Sequence, residues 1–211
     1  MKAFLVANPK GGSGKSTLAT NLAGYFASRR HEVMLGDIDR QQSSREWLSI
    51  RPFELPSIDT WEIGHDKISR PPKGTTHGVL DTPAGLRGKL LDKVLKLSTR
   101  VIVPVQPSMF DMRATRQFLE ALLSEKIIRK GKVDVAVIGM RVDARTRAAS
   151  DLERFFATFE LPVLAYLRDT QVYVQAAAAG MTVFDLPPSR AEREMEQWRA
   201  IIDWVEAEEG G

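Results

Sequence analysis

Residues 8 to 17, "NPKGGSGKST", combine glycines, hydroxyls and lysine in an order that suits the binding of phosphate. Glycines let successive backbone N–H groups approach an anion closely, because no Cβ stands in the way. In loops of this kind the lysine reaches the β and γ phosphates of a nucleotide and the next hydroxyl ligates Mg²⁺. A glycine-rich turn without a ligand is the alternative, but a strand-like run precedes the loop and an amphipathic helical pattern follows it. The predicted nucleotide-binding residues are Gly11, Gly12, Ser13, Gly14, Lys15, Ser16 and Thr17.

Position 9 departs from the usual loop pattern G-x-x-x-x-G-K-S/T, because Pro9 replaces the first glycine and Lys10 follows it. The resulting pattern, K-G-G-x-G-K-S/T, resembles the deviant phosphate loop of the ParA/MinD family of ATPases. The resemblance implies that Lys10 reaches across a nucleotide-sandwich dimer to the partner's ATP phosphates, as an arginine finger does. A solvated loop lysine is the alternative. Pro9 suits the loop because its fixed φ rigidifies the chain without requiring a glycine.

Carboxylates follow two further strand-like runs. Asp37 and Asp39 lie in "LGDIDRQQSS", which resembles the family's D-x-D-P-Q segment at switch I, and Asp81 lies in "GVLDTPAG", which resembles Walker B and switch II. By this resemblance Asp39, supported by Asp37, acts in hydrolysis and metal-water contacts, while Asp81 binds Mg²⁺ through water and Gly85 offers a backbone N–H to the γ phosphate. Arg40 replaces the family's usual proline, and phosphate, partner subunit and solvent are its possible neighbours. The predicted catalytic residues are Lys10, Lys15 and Asp39, and the predicted metal residues are Ser16, Asp39 and Asp81.

The elements that must position these groups alternate between strand-like and helix-like patterns. Short apolar runs, typical of strands buried on both faces, occur at 3–8, 33–37, 78–81, 101–105, 133–140 and 161–167. Between them, apolar residues recur at helical spacing at 18, 22, 23 and 26, at 118, 119, 122, 123 and 127, and at 195, 198, 202 and 205, and we interpret them as core. The Pro-rich stretch 51–76 is predicted to be an irregular insertion over the sheet edge. We therefore expect an α/β fold, a doubly wound, mainly parallel sheet with helices on both faces, in a P-loop NTPase whose residues 1–211 form a single domain.

Composition excludes several classes of protein. Without cysteine there is no disulfide framework and no thiolate metal site, and His31, His65 and His77 lack the spacing of metal ligands. The chain shows no signal-peptide pattern and no apolar run approaching about 20 residues, so we expect a soluble, cytoplasmic protein. Its last turns, "DWVEAEEGG", would be repelled by anionic lipid, so no membrane binding is expected, and the end of this tail is predicted to fray. A net charge of +3 and a pI of 9.2 permit nucleic-acid binding.

The resemblance also implies binding to DNA without sequence preference, through Lys and Arg contacts to phosphates. Each candidate is alternatively a solvated surface charge; the candidates are Arg141, Arg145, Arg147, Lys126, Arg129, Lys130, Lys132, Arg190, Arg193, Arg199 and Arg168. Adenine is expected against the segment 168–175 and the helix after it. The four tryptophans are interpreted as packing residues and not as base-stacking platforms, and they are Trp47, Trp61, Trp198 and Trp204.

The leading hypothesis from the sequence is a slow ATPase switch of the small ParA type, with ATP and Mg²⁺ as cofactors. ATP would close a homodimer, the dimer would bind nucleoid DNA, and a ParB-like or cargo-adaptor protein would stimulate hydrolysis, which would partition a plasmid or chromosome locus or position a protein cargo. The alternatives are a ligase-type P-loop enzyme that acts on a small molecule, and a nucleotide-gated scaffold that has lost hydrolysis. The presence of Asp39 and Asp81 argues against the scaffold, whereas Arg40 keeps that alternative open.

Overall fold

The computed structural model describes residues 1–63 and 70–208, and its centre is a seven-stranded sheet. The strands are β1 (Lys2–Val6), β2 (Val33–Asp37), β3 (Asp59–Trp61), β4 (His77–Asp81), β5 (Arg100–Val105), β6 (Asp134–Met140) and β7 (Val163–Leu167). Every pair of neighbours is parallel, in the order β3-β2-β4-β1-β5-β6-β7. His65 and the last three residues of the tail predicted to fray lie outside the described residues.

Helices cover both faces of the sheet. They are α1 (Lys15–Ser28), α2 (Ser43–Ser49), α3 (Gly88–Leu95), α4 (Met109–Ser124), α5 (Lys126–Arg129), α6 (Arg147–Phe156), α7 (Gln171–Ala178) and α8 (Pro188–Glu206), with a 3₁₀ turn at Val183–Asp185. One buried cluster joins the sheet to α1, α7 and α8, and a second cluster joins it to α3, α4 and α6. The predicted doubly wound α/β fold is therefore confirmed. Within the described ranges, no helix is both long and apolar enough to span a membrane.

The strand order brings the chemically important loops to one edge of the sheet. β4 lies between β2 and β1, with Asp37 opposite Asp81 and Val6 also opposite Asp81. Because the strands are parallel, the segments that leave their carboxyl ends meet at the same edge, which is where α/β proteins bind ligands. The order also reverses at β1, whose other neighbour is β5. Both acidic segments and the glycine-rich loop thus converge.

Two sequence interpretations were wrong. The stretch 51–76 is not wholly irregular, because it contributes β3, which pairs with β2 at the sheet edge; residues 64–69 of that stretch lie outside the described ones. The apolar stripe of the last helix is also shifted: α8 buries Ala191, Glu194, Trp198, Ile201 and Val205, whereas Met195 is 39% exposed. The packing interpretation of the tryptophans is confirmed, since Trp47, Trp61 and Trp198 are buried and Trp204 packs against the core.

Candidate active site

The glycine-rich loop joins β1 to α1 and adopts backbone conformations that require glycine. Gly12 and Gly14 have φ values of +73° and +92°, which favour residues without a Cβ. A Cβ on Gly14 would also lie 2.6 Å from Cε of Met140, the last residue of β6. The loop therefore leaves its backbone N–H groups at the N-terminus of α1, where an anion is favoured by the helix dipole and by the free donors.

Side chains from distant segments hold this loop in place. Asn8 donates from Nδ2 to the carbonyl of Pro104 at 2.7 Å and to Oγ1 of Thr115 at 3.0 Å, and its Oδ1 accepts the N–H of Lys10 at 2.8 Å. Gln106, in the segment between β5 and α4, donates from Nε2 to the carbonyl of Gly12 at 2.5 Å. The loop is thus fastened to β5 and to α4 at both ends of its glycine run.

Lys15 is the buried cation of the site, with only 7% of its surface exposed. Its ammonium donates to the carbonyl of Lys10 at 2.8 Å. Burial lowers the pKa of Lys15, and the nearby carboxylates of Asp81 and Asp39 oppose that shift. An ammonium held against the loop, with two carboxylates close to it, is placed to exchange a loop carbonyl for phosphate oxygens.

Asp37 and Asp81 are linked by Ser44, which the sequence analysis did not single out. The backbone N–H of Ser44 donates to Oδ2 of Asp37 at 2.9 Å, while its hydroxyl donates to Oδ2 of Asp81 at 2.5 Å. Asp37 also accepts the N–H of Asp39 at 2.9 Å. Burial raises the pKa of Asp37, and these backbone donors partly offset the effect. Asp37 therefore organises the start of α2 and the turn that carries Asp39.

Asp81 is 1% exposed, and its environment suits a carboxylate that binds a cation. Burial raises its pKa to about 6, although the neighbouring hydroxyls of Ser16 and Ser44 favour the charged form. Such a carboxylate is stabilised when a divalent cation arrives. Mg²⁺ takes oxygen ligands and is usually held by one or two carboxylates together with nucleotide phosphates and water. The hydroxyl of Ser16 and the carboxylates of Asp81 and Asp39 form a donor set that fits this ion.

Ser16 and Asp39 line a cavity of about 490 Å³, whereas the buried Asp81 is not among the described residues that line it. It is lined by all seven predicted nucleotide-binding residues, and also by Asp39, Gln41, Ser43, Arg141 and the segment 82–84. Lys10 is not among the described residues that line it, although its backbone carbonyl holds Lys15. A larger hollow of about 770 Å³ lies between the 3₁₀ turn and α8. That hollow lacks a glycine-rich loop at a helix N-terminus, so the smaller cavity is the better site for phosphate.

Arg40 and Gly85 lie beside this cavity. Arg40 is exposed and lines a neighbouring hollow of about 380 Å³ that also contains Asp39 and the segment 83–87. The N–H of Gly85 donates to the carbonyl of Pro9 at 3.1 Å, so the segment after β4 contacts the glycine-rich loop directly. Because Arg40 follows Asp39 and lines the same hollow, it lies next to the carboxylate predicted to act in hydrolysis.

The basic residues proposed for DNA binding have different surroundings. Arg141 lines the phosphate cavity and lies 3.9 Å from Asp169, although 58% of its side chain is exposed, and Arg168 is ion-paired with the buried Glu194. Arg145 pairs with Asp143 at 2.9 Å, but the pair is exposed. The remaining candidates lie on or beside α5, α6 and α8, and they are Lys126, Arg129, Lys130, Lys132, Arg147, Arg190, Arg193 and Arg199.

Comparisons with known proteins place this geometry in a family. The family profile CbiA, described as the CobQ/CobB/MinD/ParA nucleotide binding domain, matches residues 4–183. The chain is 28% identical over 195 residues to "Maintenance of carboxysome distribution protein A" of Halothiobacillus neapolitanus, with 88% of each chain covered. The protein of the same name from Gloeobacter kilaueensis is 26% identical over 206 residues, and the match covers 94% of this chain and 91% of that relative.

Solved structures share the fold. A McdA variant from Cyanothece in complex with ATP superposes with a TM-score of 0.71 at 17% identity, covering 95% of this chain and 96% of that one. A plasmid partition protein from Borrelia burgdorferi B31 bound to AMPPNP gives a TM-score of 0.68 at 18% identity, covering 96% and 99%. The profile match spans most of the sequence and includes the loop, both acidic segments and the strands that carry them. The chain belongs to the CobQ/CobB/MinD/ParA family of nucleotide-binding proteins.

Proposed function

We propose that this protein is an ATP-dependent switch that positions a cargo on DNA. In this proposal the whole chain, residues 1–211, acts as one ATPase domain that binds ATP and Mg²⁺ and closes into a homodimer. The dimer binds nucleoid DNA without sequence preference, and a ParB-like or cargo-adaptor protein stimulates hydrolysis and release. The names of the relatives, which concern carboxysome distribution and plasmid partition, favour a positional task over a metabolic one.

The observation that carries the proposal is the contrast between the two loop lysines. Lys15 is buried at its own phosphate cavity, whereas Lys10 belongs to the same loop but is not among the described residues lining that cavity. A cation that does not face its own nucleotide is available to a nucleotide held by a second copy. A lysine supplied in trans would offset charge on the transferring phosphoryl oxygens, and would make dimerisation depend on ATP.

Each remaining residue has a role that fits its place. Lys15 and the loop N–H groups bind the phosphates, and Asp39, which is half-buried beside the cavity, orients the attacking water. When bound, Mg²⁺ would neutralise charge on the phosphate oxygens. Asp37 and Ser44 hold the turn of Asp39 and the carboxylate of Asp81 in register. We therefore expect slow hydrolysis that is completed by a partner protein.

The DNA part of the proposal is supported by the excess of Lys and Arg over acidic residues, 30 against 27, and by the pI of 9.2. The exposed cations available to contact phosphates lie on or beside α5, α6 and α8. Arg147, Arg193 and Arg199 are exposed, as are Lys126, Arg129, Lys130 and Lys132. Contacts of this kind are salt-sensitive because they release counterions from the DNA.

The test is binding of a nonspecific DNA duplex over a salt series, with ATP, with ADP and without nucleotide, beside sedimentation of the protein alone. We expect a dimer and salt-sensitive DNA binding only with ATP, both lost in Lys10→Ala and both prolonged in Asp39→Ala. If ATP left the mass of both wild type and Asp39→Ala unchanged, the sandwich dimer would be ruled out. DNA binding absent in every nucleotide state, with turnover that requires a small molecule, would favour the ligase-type enzyme instead.

A further inference from the structure

A groove of about 360 Å³ runs between α4 and α6, on the face of the sheet opposite α1 and α8. Its walls combine apolar and basic side chains. The α4–α6 groove is defined by Met109, Met112, Arg113, Arg116, Arg154 and Phe155, and its lining also includes one acidic residue, Asp151. None of them takes part in the phosphate site described above.

Large apolar side chains are exposed to solvent at the mouth of the groove, at Met109, and just outside it, at Phe110. Met109 is 68% exposed, and Phe110 beside it is 70% exposed, at the start of α4. Deeper in the groove, Phe155 is buried and belongs to the core beneath. Two large apolar side chains at successive exposed positions bury little surface on folding, and methionine adapts readily to a binding partner. This end of α4 therefore has the character of an interaction surface.

The cations of the groove outnumber its acidic groups, and Arg116 among them is held in place by neighbouring side chains. Arg116 lies over the rings of Phe155 and Phe159, at 5.3 and 5.4 Å, and donates to Oγ1 of Thr158 at 3.3 Å. No carboxylate pairs with Arg113 or Arg116 among the described residues, whereas Arg154 pairs with Asp151. A guanidinium stacked on aromatic rings keeps its donors directed outward for a carboxylate.

We infer that the α4–α6 groove docks an acidic, amphipathic segment of a partner protein. Such a segment would place carboxylates on Arg113 and Arg116 and apolar side chains on Met109 and Phe110. A DNA duplex would satisfy the arginines but would leave the exposed apolar side chains without a partner. A second copy docked groove to groove would bring arginines against arginines.

The position of the groove links it to the phosphate loop. Gln106, which donates to the Gly12 carbonyl, lies just before Ser108, the residue that caps α4 by accepting the N–H of Asp111 at 3.1 Å. A partner seated on the first turn of α4 would therefore bear on the loop that holds the nucleotide. In this respect the inference rests on the proposed switch function, which needs a partner to complete hydrolysis.

The binding test is carried out without nucleotide, so that its failure is distinct from a failure of the ATPase proposal. The probe is a short fluorescent synthetic peptide, helical and amphipathic, with glutamates on one face and leucines on the other. The control peptide carries lysine in place of each glutamate. We expect the acidic peptide to bind and the basic one not to, with binding reduced about tenfold in Arg113→Glu and in Met109→Ser. Lys93→Glu, an exposed charge reversal on α3, is the matched control and is expected to bind as wild type does.

Three results would overturn the inference. The first is no binding of the acidic peptide, or equal binding of both peptides. The second is acidic-peptide binding that Arg113→Glu and Met109→Ser leave unchanged. The third is a loss of DNA-duplex binding in Arg113→Glu while peptide binding is kept, which would assign the groove to nucleic acid. Because Arg113 and Met109 are both exposed, neither substitution is expected to prevent folding.

Discussion

At the scale of the residue, the two lysines of the phosphate loop have different surroundings, so their substitution by alanine should have different effects. Lys15 is buried and holds a loop carbonyl, so Lys15→Ala is expected to weaken ATP binding roughly 10- to 100-fold, the size of a lost hydrogen bond to a charged group. Lys10→Ala is expected to leave monomer affinity almost unchanged while abolishing the ATP-dependent dimer. Titration with a fluorescent ATP analogue and sedimentation velocity measure the two effects. Equal loss of ATP affinity in both variants would mean that Lys10 acts on its own nucleotide.

Arg141 offers a second residue-scale prediction. It follows β6 with a φ of +54°, a conformation that is strained for any side chain beyond glycine, and it lines the phosphate cavity while 3.9 Å from Asp169. Because strained backbone conformations occur often at ligand sites, the φ of Arg141 at this cavity favours a contact between its guanidinium and the nucleotide. Arg141→Ala keeps the Cβ and thus the strain, and is expected to weaken ATP binding about fivefold, a value typical of an exposed charge.

Arg145→Ala is the matched control for that titration, because Arg145 is an exposed arginine in the same segment whose partner is Asp143. It should leave ATP affinity unaltered. If both variants bound ATP as wild type does, Arg141 would have no role at the nucleotide and would remain only a candidate for DNA contact or a solvated surface charge.

The loop lysines and the carboxylates were found in the sequence because local spacing alone specifies them. The residues that hold them were not found, since their partners are far away along the chain. Asn8 and its partner Pro104 are 96 positions apart, Gln106 and Gly12 are 94 apart, and Ser44 and Asp81 are 37 apart. Serine, asparagine and glutamine at such positions carry no distinguishing pattern, and only the folded sheet brings each pair together.

At the scale of the element, Gly180 joins α7 to the 3₁₀ turn and packs against the end of α2. Its φ is +65°, and a Cβ there would lie 2.4 Å from the carbonyl oxygen of Ile50. Gly180→Ala should therefore lower the free energy of unfolding by about 2–4 kcal/mol, through left-handed strain together with a clash against backbone. Guanidinium-induced unfolding at fixed pH measures this change.

Gly131→Ala separates the two contributions. Gly131 has a similar φ of +63°, but a Cβ there meets nothing within 4 Å, so only the strain of about 1 kcal/mol is expected. Equal losses of unfolding free energy in the two variants would show that the backbone at Ile50 moves away from a Cβ on residue 180 without an energetic penalty.

Strands were easier to predict than the edges of elements. The six strands rich in apolar residues were found from their apolar runs, which are continuous where a strand is buried on both faces and extend to β7 at the sheet edge. The three-residue strand β3 was missed because it lies at the sheet edge, and only Trp61 of its residues is buried. The stripe of α8 was misplaced around Met195 because apolar spacing alone could not anticipate that Glu194 is buried opposite Arg168.

At the scale of the whole molecule, the pH dependence of stability should depend on a buried histidine. His77, at the start of β4, is 6% exposed, and its ring centroid lies 4.4 Å from that of Phe26 and 4.0 Å from that of His31. Burial, and then the charge of His31, lower the pKa of His77 from 6.5 to about 4. The unfolded chain thus binds this proton more readily than the folded protein, so the stabilisation is complete above pH 6.5 and is lost as the pH falls towards 4.

The variant His77→Phe keeps an aromatic ring in this cluster and removes the titration. Because one proton changes the free energy of unfolding by about 1.4 kcal/mol per pH unit, wild type should lose about 1–2 kcal/mol more than the variant between about pH 7 and pH 5. Unfolding curves in guanidinium at the two pH values give the four free energies. The packing change and the lost contact with Thr76 affect both pH values alike, so only the difference of differences reports the titration. Parallel declines of wild type and variant would show that His77 is protonated equally in the folded and unfolded chains, and that carboxylates alone set the acid limit of stability.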